Sequence, residues 1–366
     1  MTQKYLRMSA CIPEVTVFIR ARPMNACRFL EQLKSGAFDP KLFQIRAKVL
    51  QSIRNFFSEQ DFLEIESPIL TPYPTLDNHI DSIECAVKTF SGRRQTLYLH
   101  TSPEHALKKL ISAGSGPVFY VGKVFRNNEL TALHNPEFTM VEWYRLDADY
   151  NDIMNDARLL VCQIARSVFS QMRFPYGMHT IDLSLPWERI SLDALFQNRY
   201  ALRPGEMLNS LALRTAARLH HIHFREEDDW ETLFHRLFMA KIEPDLGSPS
   251  PVFITDFPVE IGLMAKRKTD DSRWVERAEL YIAGLELSNG YSELTDAEEQ
   301  LRRFENQQKN KNTDRSPGYP IDNELIGMMK EGFPPCAGMA LGIDRLLMFF
   351  LNKTRIQEVI LFPVEE

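Results

Sequence analysis

Apolar residues recur at Leu42, Ile45, Val49, Leu50, Ile53, Phe56 and Phe57, the spacing of a single helix face. A long amphipathic helix is therefore expected from Lys41. The period then changes. Phe62-Leu63-Glu64-Ile65-Glu66 alternates as a strand does and stops at Ser67-Pro68, since the residue before proline disfavours helix. A strand over Thr96 to His100 runs into a helix start at Thr101-Ser102-Pro103-Glu104, with Ala106, Leu107, Leu110 and Ile111 as its apolar stripe. Thr101-x-x-Glu104 also has capping-box spacing, in which the carboxylate merely serves a backbone N–H. Val118 to Arg126 and Phe138 to Arg145 read as an antiparallel hairpin with a polar connection. The stretch from about 151 to 250 is mostly helical in pattern, broken around Pro175, Pro186 and Pro204. Strands return at Val252 to Phe257 and Glu279 to Leu287, after which Asn289-Gly290 is expected to turn the chain. Glu298 to Arg315 predicts a helix and an exposed loop, and Gly338 and Gly342 announce a last helix from Ile343 to Leu351. Strands in hairpins with segregated helices predict an α+β fold built on an antiparallel sheet flanked by helices.

With 366 residues, 44% of them hydrophobic and 25% charged, the composition is that of a globular protein and excludes disordered, collagen-like and disulfide-scaffold classes. The net charge of −6 gives no general electrostatic footprint for nucleic acid. The apolar run Leu346 to Leu351 is far shorter than the ~20 residues of a membrane span, so no membrane association is expected. Cys11, Cys27, Cys85, Cys162 and Cys336 are irregularly spaced without a C-x-x-C, which suits a reducing, cytoplasmic setting rather than a disulfide framework. Lys4 and Arg7 precede only a short apolar stretch interrupted by Pro13 and Glu14, unlike a signal peptide. Residues 1–40 have weak periodicity and read as an extension ahead of one main domain, 41–366. Neither a Rossmann nor a Walker glycine motif is present.

Several polar residues stand where the pattern calls for apolar ones. As a strand, Phe138, Met140, Glu142 and Tyr144 share a face, and a carboxylate there is costly unless something meets it. An internal salt bridge to an Arg or Lys is the structural reading; a binding pocket is the functional one. Glu286, Asn289 and Glu293 cluster oxygen donors that suit Mg²⁺, against the alternative of a solvated surface turn. Gly338-Met339-Ala340-Leu341-Gly342-Ile343-Asp344-Arg345 places an arginine just inside a helix, where it either clamps phosphate or pairs with Asp344 at the surface. His220-His221-x-His223 has no Cys or further His nearby at ligand spacing, and Glu226 to Asp229 reads as a solvated acidic face.

Together these segments resemble the catalytic domain of class II aminoacyl-tRNA synthetases of the lysyl type. Asp61 to Pro68 is similar to motif 1, Phe125-Arg126 through His134-Asn135-Pro136-Glu137-Phe138 to motif 2, and Gly338 to Arg345 to motif 3. Only 40 residues precede the first helix, too few for the anticodon-reading OB barrel of the tRNA enzymes. That truncation resembles the family that attaches lysine or (R)-β-lysine to a lysine of elongation factor P, as do Ser102 in Ser-Pro-Glu and Ala340 in motif 3. The resemblance implies an ATP- and Mg²⁺-dependent ligase with elongation factor P as partner, a homodimer formed through motif 1, and no tRNA binding. It implies ATP contacts for Arg126, Asn128, Glu129, His134, Asn135, Phe138, Glu286, Leu287, Gly342 and Arg345, with Arg126 and Arg345 catalytic. Amino-acid contacts fall to Ser102, Glu104, Glu142, Tyr144, Asn289, Glu293 and Ala340, and Mg²⁺ to Glu286 and Glu293. A truncated paralogue acting on tRNA or a small amine, and a silent dimeric regulator, are the alternatives. The chain departs from the pattern in three places: Asn128 stands for a usual Glu, Leu130 to Leu133 lack an arginine, and Asp61 replaces a usual glycine.

Overall fold

The computed structural model describes residues 39–311 and 319–364; the extension expected over 1–40 therefore lies almost wholly outside the described residues. Its strands are β1 Leu63–Glu64, β2 Leu70–Thr71, β3 Ile83–Lys88, β4 Arg94–Leu99, β5 Val118–Phe125, β6 Glu137–Leu146 and β7 Arg173–Tyr176. There follow β8 His179–Asp182, β9 Glu188–Ser191, β10 Val252–Pro258, β11 Trp274–Ile282, β12 Leu285–Ser292 and β13 Cys336–Gly342. The α-helices are α1 Pro40–Ser58, α2 Glu104–Ser112, α3 Tyr150–Phe169, α4 Leu192–Tyr200 and α5 Ser210–Leu219. They continue with α6 Trp230–Leu237, α7 Ala297–Lys311, α8 Asn323–Gly332 and α9 Ile343–Phe350.

One eight-stranded sheet, in the order β1-β5-β6-β13-β12-β11-β10-β9, organises the molecule. Its interior pairs are antiparallel as the sequence implied, whereas both edges, β1 on β5 and β9 on β10, are parallel. Each long strand divides its side chains between two environments. On β6, Val141 and Trp143 enter the core with Phe57 of α1 and Leu160 of α3, while Met140 and Tyr144 pack on the opposite face. The alternation predicted for Glu142 therefore holds, and the second face carries the polar cluster.

Three expectations fail locally. Asn289 and Gly290 do not turn the chain: they lie within β12, and the turn is at Ala283 and Gly284, whose φ angles are 52° and 76°. Gly290 serves close strand packing instead, since a Cβ there would lie 2.5 Å from the Gly338 carbonyl. The expected last helix does start at Ile343 with Gly342 as its N-cap, but the pattern did not announce β13, in which Gly338 and Gly342 lie between β6 and β12. In the largely helical stretch after α3, the β7–β8 hairpin and β9 were hidden because they are only four residues each.

The departures from the motif pattern have local explanations. Asp61 has φ 60°, a left-handed conformation that explains glycine there and that Asp tolerates. Asp344 is not a surface partner of Arg345. It is buried, accepts from Arg46 at 2.5 Å and from the Thr139 N–H at 2.6 Å, and so ties α1, β6 and α9 together. Arg345 is left to project elsewhere.

Candidate active site

The sheet register builds the site. Tyr120, Glu142, Ala340, Asn289 and Glu279 are direct neighbours across β5, β6, β13, β12 and β11, forming one transverse row. The adjacent row carries Tyr144, Gly338, Tyr291 and Arg277. Gly338 is required there, because a Cβ would come within 2.3 Å of the Tyr144 ring. Residues from five strands thus converge through hydrogen-bonded geometry rather than flexible loops.

Two cavities of about 400 Å³ each open over these rows and share Arg126, Met140, Arg277, Asn289 and Ala340 as lining. The first contains Glu129, His134, Asn135, Phe138, Glu286, Leu287, Gly342 and Arg345. Arg126, Arg277 and Arg345 line it together with Glu129, Glu279 and Glu286. Arg345 donates to His134 Nε2 at 2.6 Å and to the Glu286 carbonyl at 2.9 Å. Because Arg345 can only donate, His134 Nε2 must accept, and Nδ1–H then faces Thr131 Oγ1 at 2.8 Å. Burial, followed by the charges of Arg345 and Arg126, pushes the His134 pKa down to about 4, so the ring is neutral near pH 7. The Arg126 guanidinium lies 5.1 Å from the Phe138 ring centroid, and its Nε is buried with no hydrogen-bond partner among the described residues.

Asn128 stands outside this cavity. Its φ is 61°, and its amide donates to Asp81 at 3.1 Å. Glu129 faces the cavity instead, 3.8 Å from Arg126, so the acidic partner one position later fills that place. Asn135 lines the wall, but its amide is engaged with the Glu137 carbonyl and the Val364 N–H.

The second cavity is lined by Ser102, Glu104, Glu142 and Tyr144. Glu142 is 3% exposed and has no ion pair among the described residues, which removes the salt-bridge reading. Ser102 Oγ donates to it at 2.7 Å and Tyr144 OH at 2.8 Å. Glu104 is no capping residue either: it pairs with Lys108 at 2.7 Å and accepts from Tyr291 OH, while Ser102 Oγ receives the Glu104 N–H. The same Lys108 reaches Glu293 at 2.5 Å. One ammonium therefore serves Glu104 and Glu293, and Glu142 must rely on hydroxyl donors. The shortage appears in the acidities. Burial, reinforced by Glu104, lifts Glu142 to about 7, and burial lifts Glu293 to about 8 against the pull of Lys108.

The pair assigned to Mg²⁺ is not brought together. Glu293 is committed to Lys108, whereas Glu286 lies in the first cavity, 3.7 Å from Arg345. Among the carboxylates that share that cavity with Glu286 is Glu279, raised to about 7 by burial and by Glu286 against the opposing charge of Arg277. Glu279, Arg277, Lys108 and Tyr291 escaped the sequence reading. Lys108 left a usable trace: a lysine on the apolar stripe of α2, one helical turn beyond Glu104.

One sheet thus carries a cavity that holds Arg126 and Arg345 and, beside it, a carboxylate pocket. The model for tRNA synthetases class II (D, K and N) matches residues 28–366, and the chain belongs to that family. Within it, the chain is 39% identical over 320 residues to the "Elongation factor P--(R)-beta-lysine ligase" of Mannheimia succiniciproducens, covering 87% of this chain and 94% of that protein. It is 38% identical over 325 residues to the proteins of that name from Yersinia pestis and Yersinia pseudotuberculosis, with the same coverage.

Proposed function

We propose that this protein activates lysine or (R)-β-lysine with ATP and transfers it to a lysine side chain of elongation factor P. The observation that carries the reading is the acidic cluster at the second cavity: Lys108 pairs with the half-buried Glu104 and the buried Glu293, while the buried Glu142 has no ion pair among the described residues. Such a pocket favours a ligand with ammonium groups. An uncharged analogue leaves the carboxylates unpaired, which provides the discrimination. Lysine and β-lysine each carry two ammoniums and a carboxylate. The ammoniums fit the acidic pocket, and the carboxylate then points toward Arg126, which lines both cavities.

ATP occupies the first cavity, with adenine on the Phe138 ring and the phosphates between Arg126 and Arg345. The amino-acid carboxylate attacks the α-phosphorus; a new C–O–P linkage forms, and the bond to pyrophosphate breaks. Arg126 and Arg345 are already fixed where negative charge builds, so little reorganisation is needed. His134, neutral and accepting from Arg345, holds that guanidinium in place. Glu279 and Glu286 supply the oxygen donors that suit Mg²⁺, which when bound neutralises phosphate charge. In the second step the acceptor amine attacks the activated carbonyl, AMP departs, and the amine loses its proton. No enzyme nucleophile is required.

The exposed Leu63, Ile69 and Leu70 beside β1 support a homodimer through the motif 1 segment. Among the described residues no helix is long and apolar enough to cross a membrane, in keeping with a cytoplasmic enzyme. The test is the fate of labelled lysine or (R)-β-lysine in a mixture of the protein, ATP, Mg²⁺, bulk tRNA and elongation factor P. Label on elongation factor P is expected; label on tRNA alone would overturn the acceptor.

A further inference from the structure

At the rim of the first cavity, which Arg277 also lines, His79, Glu231 and His235 bring one imidazole or carboxylate ligand atom each within 4.8 Å of the others. Their convergence comes from two separate elements. Asp229 caps α6 by accepting from the Thr232 N–H at 2.8 Å, so Glu231 and His235 start on a fixed helix and share one face, four residues apart. His79 arrives from the loop before β3, where the Asp77 carboxylate receives its backbone N–H at 3.0 Å. Its Nε2 meets Glu231 at 2.7 Å, and its ring stands edge-on to His235 with centroids 5.0 Å apart.

The bland account is a surface His79–Glu231 pair, worth little when its members are exposed. That account leaves His235 without a role, although it lies against both partners. We infer that His79, Glu231 and His235 form a site for a borderline-soft divalent cation of the zinc class. Two imidazoles and one carboxylate are the donor set such ions prefer, whereas Mg²⁺ and Ca²⁺ favour all-oxygen shells. Tetrahedral zinc with bonds near 2.0–2.1 Å needs ligand atoms about 3.3 Å apart, within reach of small side-chain rotations from the spacing found. Three protein ligands leave a further coordination position. The ion would pin the loop carrying His79 to α6 at the cavity rim, and this role does not depend on the identity of the amino acid or acceptor.

The test uses the full chain, stripped with chelator and titrated with Co²⁺ and Zn²⁺ in the absence of nucleotide. One Co²⁺ per chain with visible ligand-field absorption, displaced by Zn²⁺, is expected. His235→Gln and His79→Asn should each weaken Zn²⁺ binding by at least about tenfold, since even loss of groups behind a ligand costs that much. Zn²⁺ should also protect both histidines of the unmodified protein from diethylpyrocarbonate, mapped by mass spectrometry, a readout independent of how the variants fold. Binding that is unchanged in His235→Gln, or labelling of His79 and His235 that Zn²⁺ does not reduce, would overturn the site.

Discussion

In the first cavity arginines stand beside carboxylates: Arg126, over Phe138, near Glu129, and Arg345, held by His134 and the Glu286 backbone, near the Glu286 carboxylate. In the neighbouring pocket Glu104 and Glu293 share the single Lys108, and Glu142 has only hydroxyl donors. The two cavities share a sheet face and several lining residues, so what differs is how their charges are partnered. Each keeps an incomplete balance. Arg126 Nε lacks an acceptor, and Glu142 and Glu293 are pushed toward neutrality. A buried site left short of one charge selects a ligand that brings it, and the shortage in the second cavity is of cations, which suits a ligand with ammonium groups.

Breaking the acidic side at its hub should have the largest effect. Lys108→Met leaves Glu104 and Glu293 without their cation, and removing one member of a buried pair costs about 3–5 kcal/mol. Denaturant unfolding should show that loss. Breaking the basic side should spare the fold and strike the chemistry. Arg345→Ala should lower the rate of ATP–pyrophosphate exchange by about 10²–10³-fold, as for loss of one preorganised charge-stabilising donor, with an unchanged melting temperature. Glu142→Gln separates the regions further. It should raise KM for the amino acid by about 10–100-fold, the worth of about 1.5–3 kcal/mol for a hydrogen bond to a charged group, while KM for ATP stays nearly constant.

The smallest effect is on pH dependence. Glu142 and Glu293 have folded pKa values of about 7 and about 8, above their ordinary value of 4.5. Groups raised in this way contribute stability that is fully present below about 4.5, their unfolded pKa, and lost as pH rises through 7 and 8. The free protein should therefore melt at progressively lower temperature from about pH 4.5 to 8 and level off above. Added lysine should restore more stability at the upper end, and Glu142→Gln should flatten the trend.

The two regions also differed in how much the sequence revealed. Arg126, His134, Phe138 and Arg345 were named because they sit in contiguous strings similar to motifs 2 and 3, and all four line the first cavity. Alternation alone placed Glu142 on the correct face of β6. The resemblance also named Ser102, Glu104, Glu142 and Tyr144, which line the second cavity, but the way they are partnered was not legible, because it is a product of register and packing: Glu142 meets Ala340 and Asn289 only once β6, β13 and β12 pair. Lys108 and Glu279 were read as ordinary helix and strand positions for the same reason. Asn289-Gly290 misled because the pair usually marks a turn, while here the glycine permits close approach of β13. Short strands such as β9 carry too few residues to show a period.

The central claim, that a cation-deficient acidic pocket selects the amino acid, is tested most directly by ATP–pyrophosphate exchange with lysine, (R)-β-lysine and norleucine in parallel. The account predicts exchange with a lysine isomer and essentially none with norleucine, which has the same chain length without the terminal ammonium. Equal exchange with norleucine, or none with any of the three, would contradict it.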